Sequence, residues 1–283
     1  MSIHNASSAP VQPATPAARC GITAAVAAAT IALAACSSPP TTTQVEANFH
    51  RVGVVSVAAD ELTQRRVGAR ERDDERKVRN IAPWGVDRAY EAQLAGAVQA
   101  ALGAVPVVAP HPYPEFASLN DPSNPYVQPG FWAYRGDPTA AAVRAYCADN
   151  QLDAVVVATR SVDDDVLGGT YHPLDGAGVY AHGGSTLLHL SAALSLLDCA
   201  TGRPLESHRV ASGNAFAASH GYPVRDLTAA LMNRDMGQWT SDDEARLKQA
   251  LIDLPADAWV QTLNGMVHPE APVIFGRTLL PNS

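Results

Sequence analysis

Three β-branched runs set the framework within which this chain can fold. Arg51–Ala58 (RVGVVSVA), Val105–Ala109 and Asp153–Thr159 (DAVVVAT) are almost uninterrupted apolar runs of strand length, the pattern of strands covered on both faces. Between the first two, Asp87 opens a helix on which Tyr90, Leu94, Val98 and Leu102 lie four apart on one stripe, and Gly103 ends it. Between the second and third, Asp137 and Pro138 form an N-cap and first-turn pair for a helix running through Val143 and Tyr146 to Asn150. The resulting β-α-β-α-β order predicts an α/β fold with parallel strands and helical crossovers.

The periodicity then changes. In Thr186–Asp198, Leu188, Leu190, Ala192, Leu194 and Leu196 alternate with His189, Ser191, Ala193 and Ser195, which predicts one long half-buried strand. Asp198–Gly202 (DCATG) is a turn, and Leu205–Ala211 returns as the second arm of an antiparallel hairpin. Ser241 and Glu244 have capping-box spacing ahead of a closing helix that Pro255 kinks or divides. A strand extension is expected at Leu62–Gly68. The expectation is one mixed sheet in a single domain over residues 50–265, with 266–283 a tail.

Charged residues make up 17% of the chain and the mean hydropathy is -0.05, too apolar for disorder and too polar for a multi-span membrane protein. A net charge of -8, with only Lys77 and Lys248 as lysines, excludes nucleic acid as the expected partner because no positive stripe is available for phosphates.

Gly21–Ala35 is an uncharged apolar run of signal-peptide length following Arg19, and it ends in Leu33, Ala34, Ala35, Cys36. That quartet resembles the lipobox of bacterial lipoproteins, the alternative being an alanine-rich tail or a short anchor helix. The resemblance implies a signal peptide over 1–35, an acylated Cys36 that holds the protein to a membrane, and a tether over 36–49 that includes Ser37–Thr43 (SSPPTTT). With Ser37 after the cysteine it implies sorting to the outer membrane, facing the periplasm of the bacterial cell envelope. The order of elements, with the D-x-x-T-G hairpin at Asp198–Gly202, resembles the α/β lipoproteins of the curli-secretion and penicillin-binding-protein-activator type. Besides the lipidated cysteine the mature chain keeps Cys147 and Cys199. An exported even pair oxidises, so a Cys147–Cys199 disulfide is expected, two separate buried thiols being the alternative.

Catalytic constellations are missing: no HExxH, G-x-S-x-G, Walker loop, dinucleotide glycine turn or C-x-x-C. No cofactor is implied. Asp163, Asp164, Asp165, His172, Asp175 and His182 fall in one glycine-rich segment, but their spacing fits neither an EF-hand nor a zinc pattern, and a solvated acidic loop is the expectation. Glu61–Arg79 mixes both signs of charge and predicts a salt-bridged exposed face. Pro110–Gly136 concentrates six prolines and six aromatics in one loop.

Long connections leave the carboxyl ends of all three parallel strands, while the opposite returns are minimal. This places the candidate binding residues Asp60, Tyr113, Phe131, Trp132, Tyr134, Asp163, Asp164 and Asp165 along one edge. The function expected is a non-enzymatic binding or scaffold role toward an envelope protein or cell-wall-associated partner. A subunit of an oligomeric secretion complex and a metal-dependent hydrolase are the alternatives.

Overall fold

The computed structural model describes residues 49–68, 74–120, 138–163, 173–210, 223–231 and 234–267, all within the compact unit formed from Pro40 onward. The predicted parallel framework is present. β1 (Arg51–Ser56) pairs in parallel with β4 (Val105–Val107) on one side and with β5 (Ala154–Arg160) on the other. β10 (Ala192–Asp198) lies antiparallel beside β5, and β11 (Arg203–Arg209) beside β10, giving the order β11-β10-β5-β1-β4.

The fold is α/β as expected, but it is built on two mixed five-stranded sheets. The second has the order β12-β9-β8-β2-β3, from β2 (Glu61–Arg66), β3 (Glu75–Asn80), β8 (Ala177–His182), β9 (Ser185–Leu190) and β12 (Val224–Asp226). A two-residue pair, β6 (Val162–Asp163) with β7 (Leu174–Asp175), stands apart. The long alternating run is divided at Ser191. The Ser191 amide donates to the Gly176 carbonyl at 2.9 Å, its carbonyl accepts from the Ser161 amide at 3.0 Å, and the two halves of the run enter different sheets. Alternation misled here because β10 is buried on both faces, Ser195, Ala192 and Ala193 included, so the small residues mark close packing rather than solvent. The strand extension after β1 is β2, whose residues Glu61–Arg66 pair with Glu75–Asn80 of β3.

Helices cover both faces of the first sheet. α1 (Val86–Leu102) sets Tyr90, Leu94 and Val98 against Val52, Val54, Val156 and Leu196. The short α4 (Thr228–Leu231), α5 (Ser241–Asp253) and α6 (Ala256–Val267) close the same core, the last two divided by Pro255 as expected. The core continues onto Leu62, Val179, Leu188 and Leu190 of the second sheet. Tyr90 donates to the Leu251 carbonyl at 2.8 Å, and its ring meets Trp259 edge-on at 5.4 Å. The α5 capping box lies one residue earlier than its spacing predicts. Thr240 caps the Asp243 amide at 3.2 Å, which frees Glu244 to accept from Arg79.

On the other face, α3 (Pro138–Asn150) packs Val143, Tyr146 and Cys147 onto Val55, Val57, Val155 and Leu197, with Phe116 of α2 (Tyr113–Ala117) beside them. α3 is stapled to the turn after β10. Cys147 and Cys199 are disulfide-bonded with Cα atoms 5.6 Å apart, and Arg144 donates to the Thr201 carbonyl at 3.0 Å. The Asp198 carboxylate accepts from the Thr201 amide at 2.9 Å and the Thr201 hydroxyl at 2.6 Å, shaping the turn. Gly202 follows with φ of 68°, and a Cβ there would lie 2.4 Å from the Ala140 carbonyl oxygen.

The first expected outcome concerns the bond. Non-reducing peptide mapping should recover Cys147 and Cys199 linked; finding both alkylated without reduction would contradict it. Breaking this bond, which spans a sequence separation of 52, should cost about 2–4 kcal/mol. The second concerns Gly202→Ala, which should lose about 2 kcal/mol or more in urea unfolding from left-handed strain plus the Ala140 clash. Gly202→Asn should not restore stability, because asparagine tolerates the dihedral but still carries the Cβ. Full recovery with asparagine would remove the clash as the cause.

Candidate functional site

Carboxyl ends of parallel strands are the natural site in such a sheet, above all where neighbouring strands send their chains to opposite faces. β1 leads by way of β2 and β3 to α1 on one face, while its neighbour β4 leads to α3 on the other. The candidate site lies at this division.

Asp87, in the first turn of α1, is turned back onto the exit of β1. One carboxylate oxygen accepts from Ser56 Oγ at 2.7 Å, the Ala58 amide at 2.9 Å and the Ala59 amide at 3.1 Å. Burial nevertheless holds its carboxyl above the usual range, against the lowering effect of those donors. One turn further, Glu91 accepts from the Ser56 amide at 3.2 Å and meets His111 Nε2 at 2.9 Å. The His111 ring is edge-on to Phe116 at 5.5 Å and Tyr146 at 6.5 Å. Burial of the Tyr146 phenol pushes its pKa up to about 12.

Of the residues expected along this edge, two are brought together. Tyr113 Oη donates to Asp60 Oδ2 at 2.8 Å, and Tyr113 remains 40% exposed. Desolvation, then the carboxylate that accepts its proton, push this phenol well above its ordinary value, so it stays a donor at any physiological pH. The other Asp60 oxygen faces Arg160 Nε at 3.8 Å, while Arg160 Nη1 donates to Glu61 at 2.8 Å. Asn120 clips the strand ends above them, donating to the Val57 carbonyl at 2.6 Å and accepting from the Arg160 amide at 2.8 Å. Among the described residues, Asp60 Oδ1, Arg160 Nε and His111 Nδ1 are buried without hydrogen-bond partners, an arrangement that is uncommon and concentrated here.

Phe131, Trp132, Tyr134, Asp164 and Asp165 lie outside the described residues, as do Cys36 and His172; Asp163 has its backbone in β6, paired with Leu174. Sequence reasoning missed Asp87, Glu91, His111, Asn120 and Arg160 as members of the site. Asp87 carried a helix-start signal only, and nothing local marks a carboxylate that turns back onto a preceding strand. Among the described residues no group of three His, Cys, Asp or Glu could hold a metal ion. Ser56 is buried with its hydroxyl committed to Asp87, so it is no accessible nucleophile. What the arrangement offers is a polar group, with Asp60 and Glu61 toward the surface and Asp87 and Glu91 set beneath them, in which four carboxylates meet one arginine, Arg160. No helix among the described residues is long and apolar enough to cross a membrane.

No protein-family model matches the chain, and no curated protein does. Among solved structures it is similar to the PelC dodecamer from Paraburkholderia phytofirmans, at 8% identity and a TM-score of 0.28 over 76% of this chain and 86% of that one. It is also similar to lipoprotein GNA1162 from Neisseria meningitidis, at 13% identity and a TM-score of 0.26 over 74% of this chain and 99% of that one. Likeness at these values carries no inference about activity or partner.

Asp87 yields a pH dependence. Its pKa is raised on folding, so between the unfolded value of about 3.9 and the folded one the native state holds more protons. Stability therefore falls as pH rises through that window, and the loss persists above it. Asp87→Asn keeps an oxygen for the three donors and removes the titration. The stability of the Asn variant relative to the wild type should climb across that window, as measured by urea unfolding from about pH 4 to 8. A difference independent of pH would contradict the assignment.

Proposed function

We propose that this chain is a lipid-anchored protein of the bacterial cell envelope, held through acylated Cys36 at the outer membrane and facing the periplasm. It binds an envelope protein or cell-wall-associated partner without catalysing a reaction. The contact is the edge formed by the carboxyl ends of β1, β4 and β5. The observation that carries this reading is the Tyr113–Asp60–Arg160 group, where an exposed phenol sits over a carboxylate and a guanidinium that each keep, among the described residues, an unfilled hydrogen-bonding position. Its carboxylates favour a basic or hydroxyl-rich partner. In this reading Phe131, Trp132 and Tyr134 are the aromatic anchors and Asp163, Asp164 and Asp165 the further charge.

The test has two arms. Cys36→Ala should abolish fatty-acid labelling and leave the precursor uncut; labelling that survives would remove the anchor from the reading. In cells, Tyr113→Ala, Asp60→Asn and Trp132→Ala should keep the far-ultraviolet circular dichroism of the parent and reduce recovery of the crosslinked partner by about tenfold or more, the loss expected of contact anchors. Undiminished recovery in all three would refute the edge as the contact.

A further inference from the structure

The β2–β3 hairpin carries a charge pattern that differs between its two faces. On the face turned to the rest of the fold, basic residues are matched: Lys77 pairs with Asp235, and Arg79 donates to Glu244 at 2.5 Å while lying 5.9 Å over the Trp84 ring. Arg66 and Glu75, directly opposite each other, are 3.9 Å apart. The other face carries Arg65, Arg76 and Val78 together with Thr63, Asn80 and Glu61, the last committed to Arg160 at 2.8 Å. Arg65 is directly opposite Arg76 in the ladder, and among the described residues neither has an ion-pair or hydrogen-bond partner for its side chain. Like charges facing each other across an antiparallel pair weaken the pair. Two places along β3 on the same side, Val78 stands 43% exposed.

β3 is also the outer strand of its sheet. It pairs with β2 alone among the described residues, and five of its six residues are exposed. Charges on an edge strand commonly serve to repel other strands. Mutual repulsion between two arginines that no described acid offsets goes further than protection requires, since Lys77 and Glu75 already charge the same edge.

We propose that β3 is a docking edge for an extended acidic segment of a partner protein, which adds to the second sheet as an antiparallel strand. Its backbone fills the open hydrogen-bonding positions of β3, a carboxylate seats between the Arg65 and Arg76 guanidinium groups, and an apolar side chain covers Val78. Charge complementarity selects the occupant: the surface is cationic on a chain whose net charge is -8. This surface is separate from the carboxyl-end site, so each can fail without the other.

The probe is a fluorescein-labelled heptapeptide with glutamate, valine and glutamate at alternate positions and threonine between, titrated into the full mature chain and followed by anisotropy. It should bind, weaken with added salt, and lose about tenfold or more in affinity when lysine replaces glutamate or when Arg65→Ser and Arg76→Ser are combined, as expected for lost charge-assisted contacts. Hydrogen exchange should show slowed amides within Glu75–Asn80 on binding. Arg76→Ser alone should raise the urea midpoint of the free protein by relieving the repulsion, which also shows that the variant folds.

Equal affinity for both peptides, unchanged affinity in the double variant, or protection confined to other elements would overturn the proposal. Binding to vesicles of phosphatidylcholine and phosphatidylglycerol without binding the peptide would assign the arginines to a membrane instead and overturn it too. Self-association in sedimentation that Arg76→Ser abolishes, again without peptide binding, would overturn it by replacing the partner with a second copy.

Discussion

β1 is the strand against which the rest is registered. It is paired on both edges, by β4 and β5, and buried on both faces, with Val52 and Val54 in one core and Val55 and Val57 in the other. A strand so enclosed has no free direction in which to leave except along its axis, and its exit must satisfy amides that no ladder reaches. Asp87 does this for Ala58 and Ala59, which ties the start of α1 to the end of β1 and sends the chain on into β2. The second sheet is thus launched from the same turn that builds the candidate site.

That shared origin links packing to the candidate site. The return passage, at Ser191, carries the chain from β9 of the second sheet back into β10 of the first, so chain passages at both places join the sheets and one core runs between them. Polar groups at the crossing cannot be paired by regular ladders, and side chains take over, as Asn120 does between Val57 and Arg160. Gly176, next to that crossing, adopts φ of 57°, and a Cβ there would lie 2.8 Å from Arg160 Cδ; the glycine makes room for the stem of the arginine that faces Asp60. The site is therefore a product of the sheet junction rather than an addition to it.

Charge is distributed by the same logic. Acidic side chains gather where the parallel strands end, around Asp60, Glu61 and Glu91, while arginines that no described acid matches lie on the outer hairpin, at Arg65 and Arg76. The basic residues turned inward meet carboxylates from the C-terminal elements, Asp235 and Glu244, which are far away in sequence. The two sides of the outer hairpin differ in chemistry because alternate residues of β3 point to opposite sides.

By itself the sequence determined the local events: the runs that become β1, β4 and β5, the stripe of α1, the division at Pro255, the turn at Asp198–Gly202 and the pairing choice open to Cys147 and Cys199. Each rests on periodicity, a turn-forming residue or a count, which neighbours in the chain suffice to express. Of the candidate site, Asp60 and Tyr113 were legible from loop lengths at one end of a parallel sheet. Tertiary structure alone decided the break at Ser191, since apolar–small alternation is the same whether the intervening side faces water or a second layer. It alone turned Asp87 and Glu91 back onto β1, brought His111 to Glu91 and Arg160 to Asp60, and left Arg65 facing Arg76, because these meetings depend on strand order and register rather than on proximity along the chain.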